Sequence, residues 1–184
     1  MRVITGTARG RRLKELKGTE TRPTSDQVKE SLFNILQFDV EGRRVLDLFG
    51  GTGQLGIEAL SRGAVHATFV DSRREAVSLI RDNLALCDMK DRSTCVTGDA
   101  LSYLSSLRER FDLIFLDPPY DGDLLEKAIS HIARFDILAP YGIMVAESRF
   151  DKLLPALSAP YALCRDYRYG RIKLTVYKRA GDAL

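Results

Sequence analysis

The 184-residue sequence is short of the residues from which metal centres and disulfide frameworks are built. Its histidines, His66 and His131, and its cysteines, Cys87, Cys95 and Cys164, include no CxxC pair and no metal-ligand spacing, which argues against a bound metal. Each cysteine is read as a small packing residue rather than a nucleophile. No run approaches the roughly 20 apolar residues that cross a bilayer, so no membrane association is expected. Where a secretory signal would carry its apolar stretch, the segment after Met1-Arg2-Val3-Ile4-Thr5-Gly6 is basic and polar, and a cytoplasmic protein is expected. Internal repeats, low-complexity tracts and an interdomain linker are also missing. A chain of this length buries a sizeable core without staples, so one main domain, acting as a monomer, is the expectation.

Positive charge, by contrast, is present and unevenly placed. The formal net charge is only +3, yet Arg2, Arg9, Arg11, Arg12, Lys14, Lys17 and Arg22 face only Glu15 and Glu20 at the start of the chain. Arg165, Arg168, Arg171, Lys173, Lys178 and Arg179 crowd the other end. Such clusters neutralise phosphates and make a polyanion a candidate partner, the alternative being solvated surfaces that keep the chain soluble.

Weak alternation from Arg2 to Leu16, with a turn signal near Gly6 to Gly10, predicts a small hairpin carrying the arginines. Arg22-Pro23-Thr24 breaks that pattern. Ser25 or Asp26 can then cap a helix reaching about Phe38, with Val28, Leu32, Ile35 and Leu36 as its apolar stripe. Residues 1–40 thus read as a basic extension and 41–184 as the main domain. There, short apolar runs at Val45 to Phe49, Ala67 to Val70, Thr94 to Thr97, Leu113 to Leu116 and Ile143 to Ala146 read as buried parallel strands. Helical patterns lie between them at Leu55 to Arg62, Arg74 to Cys87, Leu101 to Leu107 and Leu124 to Phe135. Five βα-type units predict a doubly wound α/β sheet. Tyr161 to Tyr169 and Ile172 to Tyr177, flanking Gly170, add a terminal antiparallel hairpin and bring the strands to seven.

Asp47-Leu48-Phe49-Gly50-Gly51-Thr52-Gly53-Gln54-Leu55-Gly56 runs from a buried strand through a glycine-rich turn into a helix. Gly51, Gly53 and Gly56 satisfy G-x-G-x-x-G, a spacing that also suits a dinucleotide pyrophosphate. Asp47 favours another ligand: a carboxylate here can order the loop and receive the ammonium end of an amino-acid-like group, whereas it repels a pyrophosphate. Asp71, ending the next strand, can accept ribose hydroxyls of either cofactor. Asp99, after the third strand, can accept an adenine amino group or simply cap a helix.

Leu113-Ile114-Phe115-Leu116-Asp117-Pro118-Pro119-Tyr120 sets an acid, two prolines and an aromatic ring at the carboxyl edge of a buried strand, where open α/β sheets bind ligands. Asp117 and the Pro118 carbonyl can accept both hydrogens of an amino group while a base stacks on Tyr120. An exocyclic amine is a poor nucleophile because its lone pair is delocalised into the ring. Gripping both hydrogens favours a pyramidal nitrogen, ready for in-line attack on a methyl donor with no covalent intermediate.

With these residues in view, the chain resembles the bacterial 16S ribosomal RNA guanine-N2 methyltransferases along nearly its whole length. Besides the glycine turn and Asp117 to Tyr120, the similarity includes Arg9-Gly10-Arg11-Arg12-Leu13, Arg22-Pro23-Thr24-Ser25-Asp26, Ser31-Leu32-Phe33-Asn34, and Gly56-Ile57-Glu58-Ala59-Leu60-Ser61-Arg62-Gly63-Ala64. The resemblance implies a Rossmann-like methyltransferase fold, S-adenosylmethionine as cofactor, guanine N2 as acceptor, and 16S rRNA, in an assembling small ribosomal subunit, as partner. It places Asp47, Phe49, Gly51, Gly53, Asp71 and Asp99 at the cofactor, and Asp117, Pro118 and Tyr120 at the amine. Arg9, Arg11 and Arg12 are the candidate RNA contacts. Gly50 and Thr52 stand where alanine and serine are more usual, a departure that leaves the turn usable. Other readings are a DNA adenine-N6 or protein glutamine methyltransferase, a nicotinamide-dependent oxidoreductase, and a non-catalytic RNA-binding module.

Overall fold

Apolar residues alternate along the central strands, and each of the two faces they make is covered by its own helices. In the computed structural model, which describes residues 1–16, 26–119 and 122–182, the order is α1 (Asp26–Ile35), β1 (Arg44–Asp47), α2 (Gln54–Ser61), β2 (His66–Asp71), α3 (Arg74–Leu86), β3 (Ser93–Thr97), α4 (Ala100–Ser106), β4 (Phe111–Leu116), α5 (Leu124–Arg134), β5 (Leu138–Arg149), β6 (Tyr161–Tyr169) and β7 (Ile172–Arg179). These strands form one sheet in the order β3-β2-β1-β4-β5-β7-β6. Neighbours from β3 to β5 are parallel, while β7 runs antiparallel to both β5 and β6. The doubly wound sheet and its terminal hairpin therefore form as the pattern of apolar runs predicts.

Val45, Phe69, Leu113, Phe115 and Val145 point to the layer of α1, α2 and α3. Leu46, Val70, Ile114, Leu116 and Met144 point to α4 and α5. The period of two along a strand thus partitions one sequence between two cores. Because the chain leaves β1 toward β2 on one side and returns to β4 on the other, the order reverses between β1 and β4. A crevice opens there at the carboxyl ends of the strands.

Local differences from the sequence pattern have identifiable causes. The first helix stops at Ile35, short of Phe38; the chain turns, with the Asp39 amide donating to the Leu36 carbonyl, and leaves Phe38 89% exposed. Strand β5 begins at Leu138, five residues before its apolar run, because Leu138 pairs with Phe111 ahead of an irregularity in the ladder.

The opening segment closes through a single antiparallel bridge, Arg2 to Arg12, rather than an extended ladder. The Val3 and Leu13 amides donate across it to the Arg11 and Met1 carbonyls at 3.0 and 3.2 Å, while several backbone groups in between find partners on α2. Glu58, fully buried, accepts from the Ile4 and Thr5 amides at 2.8 and 3.0 Å and from Arg62 Nε at 2.9 Å. Ser61 Oγ donates to the Thr5 carbonyl at 2.6 Å and accepts from the Ala8 amide at 3.0 Å. Lys29, also fully buried, donates to the Arg2 carbonyl at 2.6 Å and lies 4.0 Å from Glu58. A buried carboxylate is tolerated only when so paired. Val3, Ala8 and Leu13 join the core beneath α1, α2 and α3, so the extension shares its packing with the main sheet. Among the described residues no helix is long and apolar enough to cross a membrane.

Candidate active site

The strand order brings three of the sequence-selected acids to one edge. Asp47 ends β1 and is aligned with Phe69 of β2 and Phe115 of β4, so Asp71 and Asp117 follow just beyond its two neighbours. The glycine turn is fastened to both flanking strands: the Leu48 amide donates to the Phe115 carbonyl at 3.2 Å, and the Gly50 amide to the Val70 carbonyl at 2.9 Å. Gly51 and Gly53 have φ of 56° and 78°, left-handed values that glycine adopts without the penalty of a side chain. Gly56 serves a different end. A Cβ there would sit 2.3 Å from the Phe69 ring, so its absence lets α2 lie tight against the sheet.

The carboxylates are already at work within the chain. Asp47 is buried, with Oδ2 accepting from the Gly56 amide at 3.0 Å. Burial pushes its carboxyl up to about 7; the nearby charge of Asp71 adds to this and the Gly56 hydrogen bond opposes it. Asp71 accepts from the Gly51 amide at 2.9 Å, from the Arg73 amide at 2.9 Å, and from the Arg73 guanidinium at 3.2 and 3.3 Å. It therefore braces the glycine turn from the adjacent strand. Asp99, exposed beyond β3, caps α4 by accepting from the Ser102 amide at 2.8 Å. Its hydrogen bonds to Ser102 hold its carboxyl below the ordinary value. Phe49 is half-buried against the α4 and α5 layer.

Asp117 is half-buried one residue past β4, Pro118 is buried and Pro119 exposed. The two prolines share a small crevice with Leu125, Glu147, Ser148 and Lys152. Glu147, which the apolar run ending at Ala146 does not single out, lies within β5 and is thus buried beside the motif. Tyr120, Arg22 and Thr24 lie outside the described residues. Arg9, Arg11 and Arg12 are all exposed on the bridged opening loop. Among the described residues no group of three or more His, Cys, Asp or Glu side chains could hold a metal ion.

Two further residues escaped the sequence pattern. Gln54, first in α2, is 8% exposed, and its Oε1 has no hydrogen-bond partner among the described residues. A buried acceptor beside the glycine turn, together with the buried carboxyl of Asp47, fits a ligand that brings donors of its own. Asn83, fully buried on α3, accepts from the Lys14 amide at 2.8 Å and donates to the carbonyls of Lys14 at 3.1 Å and Thr52 at 2.9 Å. It ties the arginine-bearing segment to the glycine turn. The available signal was an amide side chain within the apolar stripe of Ala76, Val77, Ile80 and Leu84.

The sheet order, the glycine turn and the acid-proline edge of β4 define a Rossmann-like methyltransferase. More narrowly, the chain belongs to the family of ribosomal RNA small subunit methyltransferase D: residues 1–178 match the family model described as conserved hypothetical protein 95. The Escherichia coli protein named ribosomal RNA small subunit methyltransferase D is 34% identical over 179 residues, spanning 97% of this chain and 90% of that protein. YlbH of Bacillus subtilis is 40% identical over 184 residues, 98% of this chain and all of that protein. Among solved structures, yhhF from Escherichia coli superposes with a TM-score of 0.89 at 34% identity, covering 99% of each chain. SMU.776, complexed with SAH, shares the fold at 18% identity, with a TM-score of 0.66 over 83% of this chain and 48% of that one.

Proposed function

We propose that this rRNA methyltransferase transfers a methyl group from S-adenosylmethionine to the exocyclic N2 amine of a specific guanine in 16S rRNA, within an assembling small subunit. The observation that carries the reading is the adjacency of the glycine turn after β1 and Asp117-Pro118 after β4, on the two strands where the sheet order reverses. Bound there, S-adenosylmethionine supplies an electrophilic methyl group on a sulfonium sulfur. Asp47 receives the cofactor's ammonium end, either directly or through water. Asp71 has lone pairs to spare for ribose hydroxyls while it braces Gly51, since a carboxylate offers about four acceptor sites. Asp99 and the adjoining backbone take the adenine edge, and Phe49, Gly51 and Gly53 shape the turn.

The residues of β4 handle the nucleophile. The Asp117 carboxylate and the Pro118 carbonyl accept the two amine hydrogens, which concentrates the lone pair on nitrogen and points it at the methyl donor. Pro118 contributes a carbonyl without an amide hydrogen of its own, so the backbone adds no competing donor. As the nitrogen is alkylated it gains positive charge, and Asp117 stabilises that charge and assists departure of the proton. Tyr120 is assigned the face on which the extruded base stacks. Arg9, Arg11 and Arg12 hold the RNA by its phosphates.

The test is to incubate the protein and methyl-tritiated cofactor separately with immature small subunits, free rRNA, DNA and bulk protein. Label is expected in the rRNA of the subunits; label on DNA alone would replace this reading with that of a DNA methyltransferase. Calorimetry should show S-adenosylhomocysteine binding in preference to a nicotinamide dinucleotide, and the reverse preference would remove the methyltransferase chemistry.

A further inference from the structure

Beside the acid-proline motif the sheet ends in a surface that the chemistry of transfer does not use. Arg149, last in β5, pairs with Ile172 of β7, so the β6–β7 turn at Gly170 and Arg171 lies at the same carboxyl edge as Asp117. The next residue, Phe150, is 41% exposed. Its amide donates to the Arg171 carbonyl at 3.0 Å, and the Arg168 guanidinium lies 4.1 Å from its ring centroid. Leu153 stands 89% exposed on the same loop.

The loop is held in place from both sides. Lys173 Nζ donates to the Lys152 carbonyl at 2.7 Å. Lys152 Nζ in turn donates to the Gly122 carbonyl at 2.7 Å and meets Glu126 at 3.0 Å. Lys152 also lines the crevice of Pro118 and Pro119, so the exposed ring adjoins the amine site through one residue. Arg149 is paired with Asp151 at 3.2 Å, whereas among the described residues no carboxylate engages Arg168 or Arg171 in an ion pair.

An aromatic ring already covered by a guanidinium plane presents that plane's outer face to a further flat group, and nucleobases stack on such arginine planes and aromatic rings. Arg168, whose Nε donates to the Gly170 carbonyl at 3.2 Å, and Arg171, neither in an ion pair among the described residues, bring charge that meets phosphate, and an exposed leucine gives apolar contact with little cost in solvation. The combination of flat stacking face, positive charge and apolar edge fits single-stranded RNA better than duplex, whose bases are covered. We infer that Phe150, Leu153, Arg168 and Arg171 form a contact surface for single-stranded RNA: a nucleotide next to the methylated base stacks on the Arg168 and Phe150 pair, and its phosphate meets Arg171. The inference rests on the reading of the chain as an rRNA methyltransferase and adds to it the site that grips the strand beside the extruded base.

The variants Phe150→Ala, Arg168→Ala and Arg171→Ala change exposed residues, and unchanged thermal unfolding and S-adenosylhomocysteine binding serve as the check on folding. Affinity is measured for a short fluorescent single-stranded RNA and for inorganic polyphosphate, which carries charge without bases. Phe150→Ala should weaken RNA binding by about tenfold, the scale of one lost stacking contact, with polyphosphate binding unchanged; Phe150→Tyr should restore it. Arg171→Ala should weaken both ligands and lower the salt slope by about one. RNA affinity equal to the parent's in both Phe150→Ala and Arg168→Ala would overturn the inference. A loss confined to binding of ribosomal protein would overturn it too, by assigning the surface to a protein partner. Methyl transfer to rRNA by the parent is followed in parallel. Transfer that persists with unaltered RNA affinity in the variants refutes the surface alone, whereas RNA binding through this surface with no transfer by the parent refutes the enzymatic reading and supports the surface.

Discussion

Replacing Asp47 with asparagine keeps an acceptor for the Gly56 amide and removes a buried carboxyl whose pKa is pushed up to about 7 from the ordinary 3.8. The folded protein then holds a proton at Asp47 that the unfolded chain releases at lower pH. With the folded value raised, the stability this group contributes is fully present below the unfolded value near 4 and is lost as pH rises through about 7. A displacement of this size corresponds to on the order of 4 kcal/mol across that window, a large share of the roughly 5–15 kcal/mol that holds a domain folded. Urea unfolding, followed by circular dichroism from pH 4 to pH 8.5, reads the effect directly. Parent and Asp47→Asn should have matching stability at the acid end. Above pH 7 the variant should be the more stable by a few kcal/mol, while binding S-adenosylhomocysteine more weakly because the ammonium end has lost its carboxylate. A stability difference that stays constant over the whole range would show that Asp47 is ionised with little penalty, and its place as the buried acid of the site would be lost.

Gly56→Ala places a methyl group 2.3 Å from the Phe69 ring and should cost about 1–3 kcal/mol through overpacking, read as a lowered Tm; Phe69→Leu in the same background should recover part of the loss. Asn83→Ala removes the partner of the Lys14 amide and of the Lys14 and Thr52 carbonyls, at a cost of about 1–3 kcal/mol for the groups left unsatisfied. Faster amide exchange at Lys14 is the specific sign that the arginine-bearing loop has come away from the glycine turn. Changing Arg9, Arg11 and Arg12 together to alanine should weaken RNA binding and flatten its dependence on salt, with affinity equal to the parent's ruling out a phosphate contact for that loop.

The sheet was legible because buried parallel strands and amphipathic helices have distinct apolar periods: Val45, Phe69, Leu113 and Val145 mark one core face, and Leu46, Val70, Ile114 and Met144 the other. Glycine spacing and the acid-proline pair likewise declare themselves, since few residues can occupy a left-handed turn or stiffen a strand end. What the pattern could not show is where side chains spend their hydrogen bonds. Glu58 sits in a helical segment that looks like any charged turn, yet it anchors the opening segment; that partner is 54 residues away. The expected hairpin forms only one bridge for a related reason: Val3, Gly10 and Leu13 still donate across it, but the Ile4, Thr5 and Ala8 amides are spent on Glu58 and Ser61 of α2. Asp99 suits both a helix cap and a nucleoside contact, and only coordinates show the cap to be made.

Digestion of treated 16S rRNA to nucleosides, with mass and chromatographic identification of the methylated product, bears most directly on the proposed chemistry of Asp117 and Pro118. The parent protein should yield N2-methylguanosine. Asp117→Ala should yield none while binding S-adenosylhomocysteine with the parent's affinity. Methyladenosine in place of methylguanosine would move the acceptor to another base, and turnover by Asp117→Ala near the parent's rate would remove the β4 edge as the place where the amine is held.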